Sequence, residues 1–214
     1  ACLAWRWQAR AERAAGSDLR EARLGVLEAG EPPHASTPLF DIAIESSMQT
    51  VVIPAAAPFD QLRRAVAEAK PTHLVGYASV IGRLARATTA GELAIQPARV
   101  STNSEPLSEE DRDAITIAWG APVHNLWGST EIGVQAVGCG YGDGLHVCED
   151  EVILERVDSE GRPVPSDEPA TRTLATGLAG RTFPFIRYDL GDEVTLLPGR
   201  CACGSSMLRV ADIA

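Results

Sequence analysis

No run of about 18 apolar residues occurs in the 214-residue chain, so a membrane-spanning helix is not expected. The opening ACLAWRWQARAERAAG mixes charges into its apolar positions, which argues against a secretory signal peptide, and the chain reads as cytoplasmic. A basic surplus is also missing. Lys and Arg number 19 against 29 Asp and Glu, and the deficit is shared, −4 over residues 1–138 and −6 over 139–214, so no nucleic-acid partner is expected. There is no G-x-G-x-x-G, no G-x-x-x-x-G-K-[ST] phosphate loop and no G-x-S-x-G elbow. The single lysine, Lys70, sits before Pro71, where a helix-end role suits it better than chemistry. What remains is ordinary globular composition, 45% hydrophobic and 22% charged, enough for a domain or a domain and a half that buries about 70% of its unfolded surface.

Periodicity divides the chain in two. Residues 1–138 alternate helical and strand-like segments, the pattern of an α/β layer with a mostly parallel sheet and flanking helices. Helices are predicted over 4–15, 38–48 (capped by Ser36), 59–70, 78–89 and 109–120; strands over 23–30, 50–54, 72–77, 99–102 and 122–127. Ser108, three residues before Asp111, caps the last of these helices. After about residue 132 the helical period disappears. GLHVCED, EVILERVD, TRTLATGL, FPFIRYD, EVTLLPG and SSMLRVADI then follow as short strands between turns, predicting a β-meander or distorted barrel over 139–214. No internal repeat is found.

Two turns carry candidate chemistry. WGSTEIG (127–133) follows a predicted strand, and ligands of open α/β sheets bind beyond the carboxyl ends of strands. Gly128 permits close approach, Ser129 and Thr130 offer hydroxyls to phosphate oxygens, and Glu131 is a hard oxygen ligand for magnesium. Taken alone, the same letters read more readily as a helix cap. FPFIRYDLGD (183–192) ends in a Gly-Asp turn whose carboxylate, Asp192, can accept from both hydroxyls of a ribose, or can be a plain hairpin turn.

Five cysteines are present. Cys201 and Cys203, with Cys139 and His146 from another loop, form a three-Cys, one-His set suited to tetrahedral zinc. Cys148 alternates with His146 and is an alternative ligand, while Cys2 has no partner. A redox pair at Cys201 and Cys203 ranks below metal binding, because a Cys-x-Cys disulfide closes a strained ring and no helix N-terminus follows to acidify either thiol. His34, His73 and His124 assemble into no triad.

In order, LVGYASV (74–80), STNSEPLSEEDR (101–112), NLWGSTEIG (125–133), the Cys139–His146 loop, EVILERVDSEGRPVP (151–165), LATGL (174–178), RTFPFIRYDLGD (181–192) and CACG (201–204) resemble the AMP-forming acyl-adenylate synthetase superfamily, and within it the phenylacetate-CoA ligase branch. The resemblance implies an ATP-dependent ligase that activates a carboxylic acid as an acyl-adenylate and passes it to a thiol, commonly coenzyme A. Its Tyr-Gly-x-[ST]-Glu motif matches Trp127–Glu131, implying Thr130 on the ATP phosphates and Glu131 on magnesium as the catalytic pair, with Asn125, Trp127, Gly128 and Ser129 beside the nucleotide. Trp127 departs from the family's Tyr. Ser104, Glu105 and Pro106 match the segment that lines adenine, Asp192 the ribose ligand, and Cys139, His146, Cys201 and Cys203 the branch's structural zinc set. Tyr77 and Ser79 fall where the family shapes its carboxylate pocket.

The resemblance also sets what to expect outside the chain. The family's phosphate loop belongs before residue 1 and its C-terminal lysine domain after residue 214, so the chain is expected to be the middle of such an enzyme and inactive alone. The implied partners are a small carboxylic acid and a thiol, without a membrane, and a homodimer is left open. The alternative is a non-catalytic nucleotide-binding or zinc-stabilised interaction module that keeps the scaffold.

Overall fold

A computed structural model describes residues 23–28, 49–140, 144–166, 168, 170–180, 182–211 and 213. The predicted helices over 4–15 and 38–48, with Ser36, Cys2 and His34, lie outside the described residues. The chain divides into two compact units that change over at Leu126, within the strand Val123–Ser129.

The α/β unit contains β1 (Arg23–Glu28), β2 (Gln49–Pro54), α1 (Phe59–Ala69), β3 (His73–Tyr77), α2 (Ala78–Thr89), β4 (Arg99–Asn103), α3 (Glu109–Trp119) and the start of β5 (Val123–Ser129). Its strands are all parallel, in the order β5-β4-β3-β1-β2. β1 reads Leu-Gly-Val-Leu through its middle and is buried on both faces, as parallel strands usually are. Leu62 and Val66 of α1, four residues apart, and Ile81, Leu84 and Ala85 of α2 bring one helical stripe each to a core shared with Leu27, Ile53, Leu74, Val100 and Ile115. The other face of the sheet carries Leu24, Val26 and Val75.

Local chemistry sets the helix ends. Ser108 accepts from the Asp111 N–H at 3.1 Å and donates to its carboxylate at 3.0 Å, capping α3. Asp111 also accepts from Arg86 of α2 at 2.9 Å, and the absence of a side chain at Gly82 leaves room for it. Lys70 closes α1 as a left-handed C-cap (φ 45°), in keeping with its predicted helix-end role. Gly120 (φ 62°) does the same for α3.

His73 begins β3, where burial and, secondly, Arg99 depress its pKa from 6.5 to about 4. The unfolded chain therefore binds a proton at His73 that the folded chain refuses. The stability this contributes is full above pH 6.5 and is lost as pH falls toward 4. Urea midpoints compared at pH 7, 5.5 and 4.5 are expected to fall less steeply for His73→Gln than for the parent chain; parallel pH profiles would contradict the assignment.

The β-rich unit holds the end of β5, β6 (Gly133–Val137), β7 (Leu145–Val147), β8 (Val152–Val157), β9 (Arg172–Gly177), β10 (Tyr188–Asp189), β11 (Leu196–Leu197) and β12 (Arg209–Val210). These form two antiparallel arrays, β5-β6-β7-β12-β11 and β8-β9-β10. β12 thus inserts between β7 and β11, a pairing that strand order along the chain does not disclose. β6 was not among the predicted strands, because its five residues GVQAV adjoin a turn and include only one polar side chain, Gln135. Trp127, Ala136, Val137, Leu145, Val147, Val152, Ala175, Val194 and Val210 make the unit's core. Arg156 of β8 donates to the carbonyls of Val194, Pro165, Ser166 and Glu168, tying the long β8–β9 connection down. Among the described residues no helix is long and apolar enough to cross a membrane.

Candidate functional site

The Trp127–Gly133 segment forms a β-hairpin, not a helix cap. β5 and β6 pair as Trp127↔Ala136 and, after a register shift, Gly128↔Val134 and Ser129↔Gly133, leaving Thr130, Glu131 and Ile132 as the turn. A side chain at Gly128 would meet the Gly133 carbonyl oxygen at 2.8 Å, so this glycine first of all lets the hairpin close. Gly133 follows with φ 95°, the positive-φ residue that three-residue hairpin loops favour. Ser129 Oγ accepts from the Ile132 N–H at 3.2 Å and from Gln135 Nε2 at 2.8 Å, and so sets the shape of the turn. With these acceptor positions filled, the hydroxyl hydrogen of Ser129 remains for another acceptor. Thr130 and Glu131 are exposed at the tip.

The Gly191–Asp192 turn of the same unit reaches this hairpin. Trp127, 7% exposed, donates its indole Nε1–H to Asp192 Oδ2 at 2.9 Å. Tyr188 OH donates to Glu131 Oε1 at 3.0 Å. That bond, with partial burial behind it, raises the Tyr188 pKa, since an ionised phenol beside the carboxylate is disfavoured. Arg187 turns away: in a left-handed conformation (φ 51°), it donates to Glu155 at 3.2 Å and to the Gly161 carbonyl.

Cys139 follows β6, His146 lies on β7, and Cys201 and Cys203 lie between β11 and β12. Their four ligand atoms stand within 4.8 Å of one another. Cys139 Sγ and Cys201 Sγ are 3.5 Å apart, and Cys203 Sγ is 3.4 Å from His146 Nε2. A tetrahedral zinc with bonds of about 2.0–2.3 Å spaces its ligands by about 3.3–3.8 Å, so the donors fit that ion in type and these two pairs already stand at its spacing. Burial pushes the Cys201 thiol up, but the Cys203 backbone N–H, the Cys139 and Cys203 side chains and Arg209 outweigh it and hold it below the usual thiol range. Burial, then Arg209, keeps His146 toward its neutral form, while a backbone hydrogen bond with Met207 opposes them. Both shifts favour the protonation states that bind metal. Cys148 is not part of the set: it faces the core, where burial, then Glu151 and Asp150, push its thiol up to about 12.

The remaining predicted residues belong to the α/β unit. Tyr77 ends β3 and Ser79 opens α2. Because β2 and β3 lie on opposite sides of β1, the carboxyl end of β3 adjoins the point where strand order reverses, the usual ligand position in an open parallel sheet. Glu105 accepts from the Ser79 N–H at 2.5 Å, placing a carboxylate at the N-terminus of α2. Ser104 adopts φ 64° and donates to Asn103 Oδ1, and Pro106 is exposed. Asn125 is buried and its side-chain oxygen accepts from Thr102 at 2.9 Å, joining β4 to β5. Sequence reasoning missed Tyr188, Gln135 and Arg209; of these Tyr188, an aromatic with a polar handle inside a motif already singled out, carried a usable signal.

Several known proteins are similar. Protein CapK of Staphylococcus aureus is 30% identical over 129 residues, 59% of this chain and 27% of that protein. Among solved structures, 2-hydroxyisobutyryl-CoA ligase in an open conformation, in complex with 2-HIB-AMP and CoA, has a TM-score of 0.77 at 22% identity, over 96% of this chain and 47% of that one. A benzoate CoA ligase from Burkholderia xenovorans LB400 has a TM-score of 0.62 at 18% identity, over 92% and 42%. The NpsA N-terminal subdomain from Klebsiella oxytoca, in complex with 3-hydroxybenzoyl-AMSN, has a TM-score of 0.59 at 13% identity, over 94% and 56%. No family model matches the chain. The chain spans about half the length of these solved structures and about a quarter of the curated relative.

Proposed function

We propose, from the premise that this chain has the fold of the AMP-forming acyl-adenylate synthetases, that it is the core of an ATP-dependent carboxylic acid–thiol ligase of the phenylacetate-CoA ligase type. The observation that carries the reading is the meeting of two turns far apart in sequence, Trp127 with Asp192 and Tyr188 with Glu131. In the proposed reaction a substrate carboxylate attacks the α-phosphate of ATP, releasing pyrophosphate, and a thiol such as that of coenzyme A then displaces AMP from the acyl-adenylate. The carboxylate is already a nucleophile, so the barrier lies in bringing two anions together.

Each residue then has a task. Asp192 accepts from the ribose hydroxyls, Thr130 donates to phosphate oxygens, and Glu131 ligates magnesium, which when bound neutralises phosphate charge. Asn125, Trp127, Gly128 and Ser129 support the nucleotide, Ser104, Glu105 and Pro106 line adenine, and Tyr77 and Ser79 shape the acid's pocket. Cys139, His146, Cys201 and Cys203 hold a structural zinc. Lys70 is committed to the end of α1, so the chain by itself is proposed to bind nucleotide without turning it over. A net charge of −10 keeps nucleic acid out of the reading.

Isothermal titration tests it. Asp192→Ala is expected to weaken AMP binding by about 30-fold, the loss of charge-assisted hydrogen bonds of about 2 kcal/mol in total. Glu131→Gln is expected to remove most of the gain in ATP affinity that magnesium provides. Nucleotide binding indifferent to both substitutions would reject the proposal. The four-donor cluster favours one further reading, a zinc-stabilised interaction module that keeps the scaffold without the chemistry; it predicts stoichiometric zinc and no nucleotide affinity.

A further inference from the structure

The two turns exchange hydrogen bonds in opposite directions. Trp127, on the hairpin side, donates to the carboxylate of the Gly-Asp turn; Tyr188, on the Gly-Asp side, donates to the carboxylate of the hairpin turn. In both bonds the donor stands on a strand and the acceptor on a turn. Trp127 is locked by the core, with its ring packed in the cluster that contains Ala136, Val147 and Val194. Tyr188 pairs with Ala175 on β9, and its ring meets Phe185 edge-on, with centroids 5.3 Å apart at 75°. Each donor is therefore held by packing or pairing of its own, and the carboxylate of the opposite turn is set against it.

Stability accounts for the Trp127 bond in part, since it satisfies a buried indole N–H, but not for the Tyr188 bond. Glu131 is exposed, and a hydrogen bond to an exposed carboxylate contributes little to folding. The bonds distinguish the two oxygens of each carboxylate: Oδ2 of Asp192 and Oε1 of Glu131 accept from Trp127 and Tyr188, while among the described residues Oδ1 and Oε2 accept no hydrogen bond.

We infer that Trp127 and Tyr188 are positioning residues, each holding one oxygen of a carboxylate from the opposite turn so that Asp192 offers its other oxygen to a ribose diol and Glu131 offers its other oxygen to magnesium. The inference rests on the function proposed above and deepens it. Trp127 supplies an N–H that reaches across to the second turn, which gives the departure from the family's Tyr a role.

The test uses the full chain, with AMP and magnesium as probes. In the ligand-free protein the indole N–H resonance of Trp127, assigned by its loss in Trp127→Phe, is expected to shift in Asp192→Asn, a variant that keeps the side-chain shape. A resonance blind to that substitution overturns the inference. Titration then separates the two arms. Trp127→Phe is expected to weaken AMP binding about ten-fold, and Tyr188→Phe to cut the magnesium-dependent gain in ATP affinity about ten-fold. Should Trp127→Phe fail to fold, the resonance is assigned instead by its through-space contacts with core neighbours such as Ala136 and Val147, and the indole shift in Asp192→Asn carries the first arm. Tighter magnesium binding in Tyr188→Phe would mean that the phenol competes with the cation, and overturns the inference. If Asp192→Ala and Glu131→Gln impair binding while the two Phe variants do not, the positioning roles fall and the proposed function stands. If all four leave binding unchanged, both fall.

Discussion

Stripping metal from the chain with a strong chelator is expected to unfold the β-rich unit, at a cost of about 5 kcal/mol or more, part of the roughly 10–16 kcal/mol that structural zinc contributes in small zinc-dependent folds. The reason lies in strand length. β11 and β12 have two residues each, and β12 is held to β7 by the Arg209↔His146 and Val210↔Leu145 pairs and one flanking bond, from the Val147 N–H to the Leu208 carbonyl at 2.9 Å. So short a ladder does not hold itself together in water. The four donors sit where reinforcement is needed, two between β11 and β12, one on β7 and one just after β6. Without an ion, three thiols and an imidazole are packed together with Arg209 as the cation acting on Cys201. Metal analysis is expected to find about one zinc per chain, and Cys201→Ser to lose it together with a large part of the melting temperature. Cys148→Ser, at a buried position outside the set, is expected to keep its zinc. A chelated protein that melts where the untreated one does would remove the metal from this account.

Gly76→Ala is expected to destabilise the α/β unit by about 3–4 kcal/mol. Gly76 has φ 150°, and a Cβ there would stand 2.6 Å from Leu27 Cβ and 2.8 Å from the Leu27 carbonyl oxygen. Neither neighbour can yield cheaply. Leu27 belongs to β1, paired with β2 on its far side, and Gly76 is itself paired with Thr102 on β4, so relief would spread through four strands. Overpacking of about 1–3 kcal/mol adds to about 1–2 kcal/mol for a conformation that side chains avoid. A urea denaturation midpoint is the measurement, and a change below about 1 kcal/mol would show that β1 and β3 separate more easily than their pairing implies. Tyr77 and the N-terminus of α2 come directly after Gly76, so the same substitution bears on the proposed acid pocket.

Where side-chain periodicity is strong the elements were legible. The helix over 59–70 is α1, ending one residue earlier, and 78–89 is α2. The Ser108 cap is present, because Ser, Asp and an acidic first turn act within a few residues of one another. After residue 132 β6 was missed, and the other strands were legible as strands but not as sheets. FPFIRYD contributes only Tyr188–Asp189 to a ladder, and Pro184 with the exposed Phe183 and Ile186 makes a connection of the rest. Of the candidate site, the ligand-type residues stood out by composition. Trp127 stood out through the resemblance, whereas Tyr188 did not, because a phenol in a strand reads first as core.

By itself the sequence determined the alternation of helix and strand, the change to short strands after residue 132, and four zinc-type donors in two separated loops. These rest on properties that each segment carries locally: period, capping chemistry and ligand type. Only the tertiary structure decided that β12 enters between β7 and β11, that Cys148 faces the core while its neighbour His146 joins the donors, and that Trp127 meets Asp192 across 65 positions of chain. Such pairings depend on which surfaces bury each other once the chain has closed its loops, and no local pattern encodes that choice.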